Sequence, residues 1–222
     1  MPYYDQPNSL ACHSSNVGLA KAYALLAVLI GTTTLGTFYG MAHPGLVTGH
    51  YLLALILFFV LGFGSQMAAR ISPTFGFMMA LGFSLVAGAY IAPEILAYLR
   101  MPGGLAVLQD ALGTTVAASL GISVYALTTR RDFSHLNGFL TAGLVVLIIG
   151  LIANLFLHLS ALQMALAGIG ALLFSALLLV ETNRLRDTVD PRQSMMLVLA
   201  IYLDIFNLFQ FLLELFGGMN RD

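Results

Sequence analysis

Long apolar runs separated by short polar stretches occupy nearly the whole chain, at Ala22 to Ala42, Leu46 to Ala69, Phe75 to Tyr98, Leu105 to Leu127, Leu136 to Leu157, Ala161 to Val180 and Met195 to Phe216. Each run is close to the roughly 20 residues that an α-helix needs to cross the hydrocarbon core. A membrane β-barrel would instead need segments of about ten residues alternating apolar and polar, and the sequence contains none. The pattern therefore predicts an all-α integral membrane bundle of seven transmembrane helices. No repeat of solenoid length is visible. Residues 1–20 are expected to form a cytoplasmic N-terminal tail, 21–217 the seven-helix domain and 218–222 a short C-terminal tail.

Composition agrees with the pattern: 59% of the 222 residues are apolar and 9% charged, with a mean hydropathy of +0.91. A soluble domain has no means of hiding that much apolar surface. The net charge of -1 and the short loops leave no room for the basic patch that nucleic acid requires. Of the nine basic residues, Lys21, Arg70, Arg130, Arg131, Arg184, Arg186 and Arg192 fall on one side of the predicted membrane, and only Arg100 and Arg221 on the other. Retention of Lys and Arg on the cytoplasmic side places the N-terminus inside and the C-terminus outside. Cys12, the single cysteine, has no partner within the chain for a disulfide. The first twenty residues lack a basic segment followed by a short apolar core and a small-residue cleavage site, so the first apolar run is expected to remain as a membrane anchor.

Small residues recur inside the runs, at Gly31 to Gly40, Gly82 to Gly88 and Gly143 to Gly150, where they let helix backbones approach closely. Pro93 and Glu94, near the outer end of the third run, mark either a kink lining a cavity or a local irregularity in a packed helix.

The most informative residue is Asp204, because an Asp at the centre of a membrane helix costs about 2.5–3.5 kcal/mol on insertion scales. Starting the seventh helix near Arg192 puts Asp204 roughly 15 Å deep, too far for its short side chain to reach water. Asn207, Gln210 and Glu214 lie within about 120° of it on a helical wheel, forming one polar stripe that should face the bundle interior. The polar run Glu181-Thr182-Asn183-Arg184-Leu185-Arg186-Asp187 can continue the sixth helix before a turn at Asp190-Pro191. The sixth and seventh helices are then antiparallel neighbours, and Glu181 can approach Asp204. Two carboxyls held together in low dielectric share a proton and titrate as a coupled pair, a proton sensor by construction. The alternative is a protonated Asp204 hydrogen-bonded to Asn154 or Asn207 and serving only to hold helices together. Arg70, ending the second run, is either a switchable countercharge to Glu181 or an orientation signal whose stem lies along lipid. His43, His50, His135 and His158 sit at membrane ends without i, i+4 spacing, so no metal site is expected. HExxH, GxSxG and GxxxxGK[ST] motifs are missing, which argues against an enzyme. The only lysine, Lys21, is too early in the chain for a retinal Schiff base.

The run Tyr202-Leu203-Asp204-Ile205-Phe206-Asn207-Leu208-Phe209, followed by Leu212-Leu213 and Phe216-Gly217, resembles the last helix of Bax-inhibitor (TMBIM) proteins. Glu181-Thr182-Asn183, Leu127-Thr128-Thr129-Arg130-Arg131-Asp132-Phe133-Ser134 and Gly150-Leu151-Ile152-Ala153-Asn154-Leu155-Phe156-Leu157 are similar to the bacterial YccA-like branch. The resemblance, covering the chain from about Lys21 onward, implies a multi-pass protein of the bacterial inner (plasma) membrane, without catalytic activity or cofactor. It implies that acids on the sixth and seventh helices, here Glu181 and Asp204, close a calcium leak when protonated, with an arginine at the end of the second helix, here Arg70, exchanging onto one of them. Asn207, Asn154, Glu214 and Glu94 are the expected polar lining, and calcium the transported ion. Glu181 stands where the family usually has Asp, which adds a methylene to the pair. The same branch is associated with restraint of an FtsH-type membrane protease, the alternative partner; some of its members lack the second acid, so Asp204 favours the leak.

Overall fold

A computed structural model of the chain describes residues 8–220. Residues 1–7 of the expected N-terminal tail, the side chain of Cys12, and Arg221 and Asp222 at the other end lie outside the described residues. The described chain is helical: α1 (Asn8–Ala42), α2 (Pro44–Gly49), α3 (Tyr51–Ile71), α4 (Pro73–Leu99), α5 (Gly104–Thr128), a 3-10 turn (Ser134–Leu136), α6 (Asn137–Leu157), α7 (Ser160–Asp187) and α8 (Pro191–Met219). Seven of these helices, all but α2, are long and apolar enough to cross a membrane.

Prolines and one glycine set the breaks. Pro44, Pro73 and Pro191 occupy the first turns of α2, α4 and α8, where the missing N–H is not needed. Asp190 caps α8 by accepting from the Arg192 backbone N–H at 2.9 Å. Gly103 precedes α5 with φ 74°, a left-handed conformation that suits glycine. The second apolar run is the one place where the expected helix divides. Its first residues form the short α2, and the chain breaks at His50, with φ -123° and ψ 31°, so the spanning helix starts at α3. The apolar character of Leu46 and Val47 hid a break signalled by Gly49 and His50. α7 does continue through the polar run, ending at Asp187 as its composition predicts.

α8 is the axis of the bundle. It packs against α1, α3, α4, α5 and α7 and contributes to both buried clusters. Leu199, Ile201, Tyr202 and Phe206 join Leu29, Phe83, Ala87 and Leu178 in one. Leu208, Phe211 and Leu213 join Leu108, Leu147, Leu166 and Phe174 in the other. α6, by contrast, packs mainly on α7.

Close backbone approach is concentrated where α1 crosses α4. A Cβ on Gly88 would strike the Thr33 carbonyl oxygen, one on Gly36 the Leu85 carbonyl oxygen, and one on Gly40 would come within 2.9 Å of the Ala89 carbonyl oxygen. Gly31 and Gly82 face open space, so only part of the small-residue pattern serves packing. Gly88→Val should therefore force α1 away from α4 and destabilise the bundle by about 1–3 kcal/mol, the usual cost of overpacking. Gly82→Val should be nearly neutral, and thermal unfolding of the two variants in detergent compares them.

Candidate functional site

Asp204 lies close to the midpoint of α8 and is only 6% exposed. Its Oδ2 is buried without a hydrogen-bond partner. A buried, unpartnered carboxyl oxygen is expensive in a medium without water, and Glu181, on the adjacent α7, lies within electrostatic range of it. Residues 188–190 are the whole link between the two helices, which makes them antiparallel neighbours in contact along their length.

Glu181 has a second neighbour. Arg184 Nη1, one turn further along α7, is 3.9 Å from Glu181 Oε1, with the glutamate side chain 18% exposed and the arginine 40%. Arg70 is at the end of α3, exposed, and among the described residues it makes no ion pair. Glu181 and Asp204 are thus electrostatic neighbours, and Arg184 is in ion-pair range of Glu181.

The other residues of the α8 polar stripe face a different space. Asn207, Gln210 and Glu214 line a cavity of about 730 Å³ walled by α3, α4, α6, α7 and α8, which also receives Glu94, Gln163, Tyr90 and Phe58. Gln163 Nε2 donates to Glu214 Oε1 at 2.7 Å, and Glu94 and Glu214 are near enough to interact electrostatically. Asn207 Nδ2 donates to the Leu203 carbonyl one turn back at 2.8 Å. The single stripe of the helical wheel is therefore divided, with Asp204 beside α7 and the others at the cavity, toward the end away from most of the basic residues. Asn154 joins neither group. Its Oδ1 accepts from the Leu159 N–H at 3.1 Å, closing the end of α6 where His158 takes φ 53°, so its side-chain oxygen serves as a cap.

Two anchors escaped the sequence reading. Tyr202, two residues before Asp204, shares a 2.6 Å hydrogen bond with the Thr33 hydroxyl of α1 and packs edge-on against Phe83. Asn183, 3% exposed, donates to the carbonyls of Ala126 and Arg131 at 3.1 and 3.3 Å. Arg186 donates to the Ala126 and Thr129 carbonyls while pairing with Asp187 at 2.7 Å. These bonds pin the polar end of α7 to the end of α5 and the loop after it. Within that loop the Ser134 N–H and hydroxyl both donate to Asp132 and hold its carboxyl below the usual range. Tyr202 and Asn183 both lie in runs already singled out, but the groups they meet, a hydroxyl of α1 and carbonyls at the end of α5 and in its loop, are distant in the chain and leave no local signal. Among the described residues no group of three or more His, Cys, Asp or Glu side chains is placed to hold a metal ion.

The family model for "Inhibitor of apoptosis-promoting Bax1" matches residues 15–222. The chain belongs to the Bax-inhibitor family. It is 32% identical to "Modulator of FtsH protease YccA" of Escherichia coli K12, over 99% of this chain and 96% of that protein. It is 31% identical to an uncharacterized membrane protein of Vibrio cholerae, over 94% and 92%, and 27% identical to protein lifeguard 4 of the mouse, over 96% and 90%. With its seven candidate spans and its likeness to a protein named "Inner membrane protein YccA", this Bax-inhibitor family member is a multi-pass inner-membrane protein.

Asn183→Ala would leave the Ala126 and Arg131 carbonyls without this donor. The expected result is a loss of about 1–3 kcal/mol and faster hydrogen exchange across residues 126–134, measured by mass spectrometry on the detergent-solubilised protein.

Proposed function

We propose that this chain is a pH-sensitive calcium leak, oriented with its N-terminus in the cytoplasm and closed by the Glu181–Asp204 pair. The observation that carries the reading is Asp204 itself: a 6% exposed carboxyl with an unpartnered oxygen at the middle of the most enclosed helix. A protonated Asp204 lets α8 sit inside the bundle; loss of the proton places a second negative charge beside Glu181 in a medium that penalises it, and α8 is driven from its seat. The cavity lined by Asn207, Gln210, Glu214 and Glu94 is suited to supply the hydrated approach to that point from the outer side. Tyr202, bonded to Thr33, is the contact that such a movement has to break.

Reconstitution into calcium-loaded liposomes tests the reading. Flux should be low at acid pH and rise as pH increases, and Asp204→Asn, which keeps the carboxyl position neutral, should hold flux low at every pH. Undetectable flux across the whole range, or an Asp204→Asn profile identical to the parent, would sink it.

A second reading has its own support, the 32% identity to a protein named for modulating the FtsH protease. In that reading the chain binds an FtsH-type membrane AAA protease through its N-terminal tail, its lipid-exposed helix faces or its basic loops. Affinity capture of the full chain from membranes should recover the protease, and removal of residues 1–20 should weaken recovery. Recovery of no protease, with unaltered substrate turnover in a strain lacking the chain, argues against it.

A further inference from the structure

Two acids that share one environment need not share it equally, and here the surroundings differ sharply. Glu181 is 18% exposed with Arg184 Nη1 3.9 Å from its carboxyl. Asp204 is 6% exposed, has an unpartnered Oδ2 and has no cation within ion-pair distance among the described residues. From the geometry we infer that Arg184, rather than Arg70, is the resident counter-cation of the pair, and that it places the negative charge on Glu181 and the shared proton on Asp204. This inference rests on the proposed carboxyl gate and names the residue that sets its bias.

The other charged and titratable groups around α7 do not compete for that role. α8 presents Asp204 itself and, in its first turn, Arg192, which is exposed and makes no ion pair among the described residues. α5 ends with Arg130 and Arg131 in the loop beyond it, where the Arg131 carbonyl is taken by Asn183 and both side chains are exposed. Arg186 is committed to Asp187 and to the Ala126 and Thr129 carbonyls. α1 carries Lys21, exposed, and Tyr23, whose hydroxyl is buried without a partner; neither makes an ion pair with Glu181. The α6 side offers His135, also exposed. Arg184 is held by its position in the same helix, three residues from Glu181, so the pair persists wherever α7 is intact. Arg184 is a positioning residue: it touches the acid, and through the acid it determines which carboxyl of the pair must release a proton.

Two readouts on the full-length protein in liposomes test the assignment. The first is infrared difference spectroscopy of the neutral-carboxyl band at neutral pH. Asp204→Asn should remove a component that Glu181→Gln leaves in place. Arg184→Gln should add a component, and the double variant Arg184→Gln with Glu181→Gln should lose it again. The second is the pH profile of calcium flux. Arg184→Gln should move its midpoint to higher pH, because Glu181 then takes up a proton as well, Arg184→Lys should restore the parent profile, and Arg70→Gln should leave it unmoved. A midpoint that follows Arg70 and ignores Arg184, or a neutral-carboxyl component lost in Glu181→Gln and kept in Asp204→Asn, overturns the inference. If the parent protein passes no calcium at any pH the leak reading fails, and the infrared result alone decides where the proton sits.

Discussion

A carboxyl group in the middle of a helix that other helices enclose on nearly every side is the constraint around which this bundle is organised. In water α8 would be unremarkable; in hydrocarbon the cost of Asp204 has to be offset by position. Its neighbours share that work. α7 brings a second acid and, with it, an arginine. α1 fastens the same stretch of α8 through Thr33 and Tyr202, and is itself pressed onto α4 by Gly36, Gly40 and Gly88.

The bundle has two ends of different character. Toward the basic end, α7 is bonded to the carbonyls at the end of α5 and the following loop, through Asn183 and Arg186. Toward the other end, α8 meets the α4–α5 turn through Asn220, whose Nδ2 donates to the Pro102 carbonyl at 3.2 Å, and the cavity opens between aromatic and carboxamide side chains. Asp204 stands between a tightly bonded half and a hollow one. Along α8 the two hydrophobic clusters succeed one another, Met195 to Phe206 in one and Leu208 to Leu213 in the other.

The seven spans were legible in the sequence because hydropathy over twenty residues is a strong and local signal. Asp204 was legible for the same reason inverted, since a charge stands out against an apolar run, and Glu181 followed from the short link at Asp190-Pro191. What depends on side-chain direction was not. Arg184 lies three residues from Glu181 on the same helix, a spacing that permits the pair without requiring it, because the arginine stem can equally run out to water. Asn154 looked available for Asp204 because it is polar and lies in an apolar run; its use as the cap of α6 depends on the left-handed His158 that follows. The break at His50 was masked by apolar residues on both sides of it.

Residues 188–190 join α7 to α8 with almost no slack. Three residues reach about 10 Å at full extension, so the start of α8 is tethered closely to the end of α7. Any displacement of α8 is therefore smallest at Pro191 and largest toward Met219, the end that lines the cavity, and the helix moves as a lever rather than a piston.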